Sequence, residues 1–168
     1  MTQERILILN NKQVTQKIKR IAYEIYEHNF EEKEIVFAGI YDKGYILAGL
    51  LKDALEKISP ITCQLVKITL DKTSLFQSEI AVDCELKSLR KKVVVLVDDV
   101  LNSGRTMVYS LKPFLNTEIK KLQTATLVDR NHKTFPIKAD YVGYSLSTTL
   151  QDHIDVRFEK EEILVYLH

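Results

Sequence analysis

Apolar residues recur along the chain in two rhythms. From Asn11 to His28 they fall at Val14, Ile18, Ile21, Ala22 and Ile25, a three- and four-residue spacing that predicts one helical face. "EIVFAGIY" (34–41) is nearly unbroken and predicts a buried strand. Gly44 to Lys57 returns to the helical period through Ile46, Leu47, Leu50, Leu51, Ala54 and Leu55. "ITCQLVKITL" (61–70) alternates and then ends apolar, as a strand does. Residues 71–91 have little periodicity and carry Ser, Thr, Asp and Lys, which predicts a long loop or hairpin. Val93 to Val97 is a run of β-branched residues and leucine, the pattern of a parallel strand covered on both faces. Thr106 to Leu115 predicts a short helix, "KLQTATLVD" (121–129) a further strand, and the tail beyond Pro136 strand-like pieces near 140–146, 153–158 and 162–167.

Helices thus alternate with strands, which defines an α/β fold with a largely parallel, twisted sheet flanked by helices. The C-terminal third is expected to cap one end of that sheet. No internal repeat, low-complexity segment or linker interrupts the pattern, so residues 1–168 are expected to form one domain.

Composition narrows the classes. With 45% hydrophobic and 28% charged residues the chain is globular rather than disordered. A net charge of +1 gives no overall attraction to nucleic acid and leaves only local basic patches. No apolar run approaches the roughly 20 residues that span a bilayer, so no membrane partner is expected. "MTQERILILN" lacks the apolar core of a cleavable signal, and Cys63 and Cys84 form no CxxC pair. A cytoplasmic protein with two buried, structural thiols is expected.

One stretch departs from ordinary core. In "VVVLVDDVLNSGRT" (93–106), Asp98 and Asp99 follow a buried strand and precede a polar turn. Ligands of open parallel sheets bind beyond the carboxyl ends of strands. Neighbouring strand side chains point to opposite sides, so the two carboxylates bracket a site instead of sharing a proton. Each can accept hydrogen bonds from sugar hydroxyls. The turn that follows offers backbone N–H groups, the hydroxyls of Ser103 and Thr106 and a helix start, which together cradle a phosphate. Gly104 is expected to let the backbone approach the ligand closely. The combination describes a ribose 5-phosphate site.

This stretch resembles the 5-phosphoribosyl 1-pyrophosphate (PRPP) motif of type I phosphoribosyltransferases. The resemblance implies the fold of that family, with a small C-terminal hood. It implies that Asp98 and Asp99 hold the ribose hydroxyls, and that Asn102, Ser103, Gly104, Arg105 and Thr106 hold the 5′-phosphate. "IKRIAYEIYEHN" (18–29), "FAGIYDKGYILAGLL" (37–51) and "ATLVDRNHKTFPIKADYVGYSL" (125–146) resemble successive blocks of the PyrR type, a pyrimidine-operon attenuator that also has uracil phosphoribosyltransferase activity. The family further implies a homo-oligomer.

The remaining roles follow from the same resemblance. The turn "YDKG" (41–44) corresponds to the pyrophosphate loop, with Lys43 and Gly44 as its binding residues and Lys43 as a catalytic cation beside Asp98 and Asp99. PyrR-type proteins usually carry Thr-Arg-Gly there, and Lys43 supplies charge without the bidentate fork of arginine. A lid is expected from 71–91, because water competes with the base at an oxocarbenium-like centre. Lys72 stands where the family's Tyr-Arg-Asp-Asp segment has arginine. Arg130, beside Asp129, is expected near a base carbonyl. Leu150 is expected to pack on a base face, in a segment (Ser147 to Leu150) that commonly reads Pro-Thr-Ser-Arg in the family. Mg²⁺ is expected on the substrate's phosphates with few protein ligands, because no His/Cys/Asp/Glu cluster has transition-metal spacing.

The leading expectation is a Mg²⁺-dependent enzyme that transfers phosphoribose from PRPP to a free nucleobase, uracil first, releasing pyrophosphate. A second is an RNA-binding attenuator that senses nucleotide through the same site with little catalysis, for which Lys12, Lys17, Lys19 and Arg20 form one short basic cluster. A third, suggested by the Lys-Gly turn, is a purine transferase.

Overall fold

The computed structural model describes residues 4–71, 73–74 and 79–168. Strand β1 (Ile6–Leu9) is followed by helix α1 (Asn11–Asn29), β2 (Glu34–Ile40), α2 (Lys43–Ile58) and β3 (Thr62–Thr69). After these come β4 (Ala81–Val82), a 3₁₀ turn (Leu86–Leu89), β5 (Val93–Leu101), α3 (Arg105–Ser110) and α4 (Lys112–Leu115). β6 (Lys121–Asp129), β7 (Tyr141–Ser145), β8 (Ile154–Phe158) and β9 (Ile163–Leu167) complete the chain.

Helix α1 starts where Asn10 and Gln13 cap each other. The Asn10 side chain accepts from Gln13 N–H, and Asn10 N–H donates to the Gln13 side chain, both at 2.9 Å. Its five predicted apolar positions are all buried. In α2 the buried face is Leu47, Ala48, Leu51 and Leu55, whereas Ile46 lies outside it and is 42% exposed.

Six strands form the main sheet in the order β4-β3-β2-β5-β6-β7, parallel except for the short edge strand β4. Both faces are covered. Val93, Val95 and Val97 pack with α1 and α2, while Val94 and Leu96 pack with Met107 and Phe114 on the other side. The hood is a separate three-stranded sheet, β1-β9-β8, in which the N-terminal strand closes against the C-terminal hairpin.

Two expectations need correction, and a third is narrowed to one of its alternatives. The predicted helix 106–115 is two short helices, because Pro113 lacks an N–H and its ring crowds the preceding turn. Of the two readings of 71–91, the β3–β4 antiparallel pairing matches the hairpin, and Leu89 near its end is fully buried. Lys72 lies outside the described residues. Finally, Cys63 is buried but Cys84 only partly so. Burial pushes the Cys63 thiol up to about 12, which makes it a poor nucleophile.

Candidate functional site

The sheet reverses its winding between β2 and β5: the chain moves outward from β2 to β3 on one side and from β5 to β6 on the other. Such a switch point leaves a crevice at the carboxyl ends. β2 pairs with β5 only as far as Gly39 opposite Val97, while β5 runs on beside β6 to Leu101. Asp98 and Asp99 are the first residues of β5 past its last pairing with β2. They therefore face the crevice from within a strand rather than from its tip, and they are 4% and 8% exposed instead of open to solvent.

A cavity of about 290 Å³ opens here, lined by Asp98, Asp99, the turn 102–104, Thr106 and Ile154. Asp98 Oδ1 accepts from Asp99 N–H at 3.0 Å, and the Asp99 carbonyl accepts from the Thr126 hydroxyl at 3.1 Å. The turn is pinned from behind, since the Ser103 carbonyl accepts from both Thr134 and Phe135 N–H, at 2.9 and 3.0 Å. Ser103 Oγ accepts from Arg105 N–H at 3.3 Å, and the Arg105 guanidinium lies 5.5 Å from the Tyr109 ring.

Gly104 lines the cavity, and the backbone itself also requires glycine there. Its φ is +85°, and a Cβ there would sit 2.5 Å from Ile137 Cγ2. Glycine is required by the left-handed backbone and by the packing of 135–137 behind the turn. Gly44 makes a close approach of another kind, to β5. A Cβ on it would meet Val97 O at 2.7 Å and Asp98 Cα at 3.0 Å, so its absence lets the start of α2 press against the aspartate pair.

Lys43, next to Gly44, reaches across to the hood. Its Nζ donates to Asp155 Oδ1 at 2.8 Å, and Arg157 Nε donates to Asp155 Oδ2 at 2.9 Å. These two cations hold the Asp155 carboxyl down to about 2. A group depressed in the folded state stabilises above its unfolded value, near ~4, and loses that contribution as pH falls through the folded value. Asp155→Asn is expected to cost about 1 kcal/mol at neutral pH, after allowance for solvent screening of a part-exposed pair. Denaturant unfolding at a series of pH values should show this difference from the wild type closing as the carboxyl protonates.

Arg130 and Leu150 diverge. The Arg130 side chain is buried, with Nε donating to Thr148 Oγ1 at 2.7 Å and Nη2 to the Thr149 carbonyl at 2.8 Å. It grips the connection between β7 and β8, which Asp152 also ties through Thr149 N–H at 2.8 Å. Asp129 is ion-paired with Lys133 and accepts from Asn131 N–H at 2.9 Å. Leu150, at the bend of this connection, is 87% exposed. Residue spacing missed Ile154, Asp155 and Arg157. The only signal for them was the apolar–charged alternation of "IDVRF", which marks a half-buried strand without saying what it faces.

The carboxylates of the cavity are oxygen donors of the kind magnesium accepts. Two carboxylates line the cavity, and among the described residues no group of three His, Cys, Asp or Glu side chains converges. Also among the described residues, no helix is long and apolar enough to cross a membrane.

Two buried carboxylates and a pinned turn at the switch point of a hooded parallel sheet describe the phosphoribosyltransferase class. Residues 7–160 match the model of the phosphoribosyl transferase domain, and the chain belongs to that family. Its relatives include proteins named bifunctional protein PyrR. That of Staphylococcus epidermidis is 37% identical over 94% of this chain and 93% of its own length, and that of Fusobacterium nucleatum 35% identical over 95% and 96%. The fold is shared with the hypoxanthine phosphoribosyltransferase of Trypanosoma cruzi (TM-score 0.78, 17% identity, 95% of this chain and 94% of that one). It is shared also with a hypoxanthine-guanine phosphoribosyltransferase of Bacillus anthracis (TM-score 0.68, 21% identity, 84% and 82%). At the level of the family, this is a domain for transferring a phosphoribosyl group from PRPP to a nucleobase.

Proposed function

We propose that the chain is a PyrR-type regulator: a single domain that senses PRPP and nucleotide in the crevice, binds RNA, and transfers phosphoribose to uracil only slowly. In this reading Asp98 and Asp99 hold the ribose, residues 102–106 the 5′-phosphate and the turn 41–44 the pyrophosphate, with Mg²⁺ arriving on the substrate. One observation carries it. In a chain similar to PyrR proteins over nearly its whole length, a cavity is lined by Asp98, Asp99 and the turn 102–104, while the cations expected to do chemistry are engaged by the protein itself. Lys43 is bonded to Asp155, and Arg130 to Thr148 and Thr149. Lys43 also replaces an arginine whose bidentate fork would hold a leaving pyrophosphate more firmly.

RNA binding is expected to draw on the exposed Lys12 and Lys19 of α1. Lys17, over the Tyr144 ring at 5.4 Å, and Arg20, bonded to the Gly143 carbonyl at 2.6 Å, are already occupied. The test pairs two measurements. Electrophoretic retardation of an RNA hairpin pool at low and moderate salt is expected to strengthen with UMP and weaken steeply with salt. Pyrophosphate release from PRPP with uracil, hypoxanthine or xanthine is expected to be slow and to favour uracil. Turnover near the ~10 s⁻¹ common among enzymes, with no retardation at low salt, would return the chain to metabolic transfer.

A further inference from the structure

The aspartate crevice has two walls of different chemistry. All but one of the described residues that line it belong to the segment 98–107, which runs from the end of β5 through the turn into α3. That wall carries the two carboxylates, Asn102 and the hydroxyls of Ser103 and Thr106. The exception is Ile154, the first residue of β8. β8 is the outer strand of the hood and lies against both α2 and β5.

Most of the apolar lining has no surface left to offer a ligand. Leu101 is 2% exposed and Met107 1%, both closed into the core. Val100 and Ile154 are half-buried, and Val100 shares a face of β5 with Asp98. Ile154 alone brings aliphatic surface from the hood side. Its place is fixed by a short path of contacts. Lys43 Nζ donates to Asp155 Oδ1 at 2.8 Å and ties the start of β8 to the start of α2. A Cβ on Gly44 would meet Asp98 Oδ1 at 3.1 Å, so the start of α2 is itself pressed on the aspartate pair.

A furanose presents hydroxyls on its edge and C–H groups on its faces. Carboxylates and turn amides answer the hydroxyls and a phosphate. An aliphatic side chain answers the C–H face, which a bare phosphate lacks. We propose that Ile154 makes the crevice select a pentose 5-phosphate over free phosphate, by packing on the C–H surface of the sugar. This rests on the reading that Asp98 and Asp99 hold the ribose. The hood thus contributes an apolar contact to sugar recognition, and the charged neighbours of Ile154 set its position.

Calorimetry on the full chain tests it with three probes: inorganic phosphate, ribose 5-phosphate and UMP. Ile154→Ala is expected to weaken ribose 5-phosphate and UMP by roughly four- to fifteenfold, the loss that follows from exposing one or two methylene-sized groups. Phosphate affinity should not change, and Ile154→Val should lie between the wild type and Ile154→Ala. If Ile154→Ala binds ribose 5-phosphate as tightly as the wild type, the assignment fails while the carboxylates keep their role. A lowered melting temperature beside that unchanged affinity leaves Ile154 a packing residue of the hood. If phosphate weakens as much as ribose 5-phosphate, Ile154 acts through the turn and selection is not its role. If the wild type binds ribose 5-phosphate no more tightly than phosphate, the reading of the carboxylates fails and the assignment falls with it.

Discussion

Replacing Asp98 and Asp99 together with asparagine is expected to lower PRPP affinity by about 10²- to 10⁴-fold, from the loss of two charge-assisted contacts worth roughly 1.5–3 kcal/mol each. The fold should survive. An asparagine oxygen at 98 can still accept from the N–H of residue 99, as Asp98 Oδ1 does at 3.0 Å. The variant is therefore expected to unfold in a cooperative transition as the wild type does. Calorimetric titration with magnesium PRPP, beside differential scanning calorimetry of both proteins, checks both halves. Unchanged affinity in a folded double variant would remove the sugar clamp from these residues.

Gly104→Val should have the largest effect on stability. A β-branched residue at φ +85° is strained, and its Cβ would stand 2.5 Å from Ile137 Cγ2. A loss of roughly 2–4 kcal/mol is expected, seen as a fall of about 5–15 °C in melting temperature for a chain of this size. Ribose 5-phosphate binding should weaken at least tenfold, because the turn cannot keep both its backbone conformation and its seat on 135–137. A variant with wild-type melting temperature and affinity would show that the turn tolerates another conformation.

The parts visible in the sequence are those with a local signature. β5 announces itself because a central parallel strand is apolar at every position, so the first charged residues after it mark where the covering layers stop. The capped start of α1 and its buried face are likewise contained in one short window. What the sequence hid depends on partners far along the chain. β1 is four apolar residues with Ile6 and Leu7 half exposed, and its meaning comes from pairing with β9 at the opposite end. The break at Pro113 was readable and outweighs the helical spacing of its neighbours. The engagement of Lys43 by Asp155 and of Arg130 by Thr148 was not, since no periodicity relates a side chain to a partner that lies beyond its own element.

The pinned turn has an optical consequence. The two N–H groups holding the Ser103 carbonyl belong to Thr134 and Phe135, and the Phe135 ring meets Tyr109 edge-on, 6.2 Å away. Tyr109 in turn carries the Arg105 guanidinium on its face, so the chain of contacts runs from the turn 102–106 to an aromatic pair on the outside of the sheet. The protein contains no tryptophan. An indole introduced at position 135 would be its sole long-wavelength fluorophore, seated directly behind the cradle, and would turn occupancy of the crevice into a change of emission readable in real time.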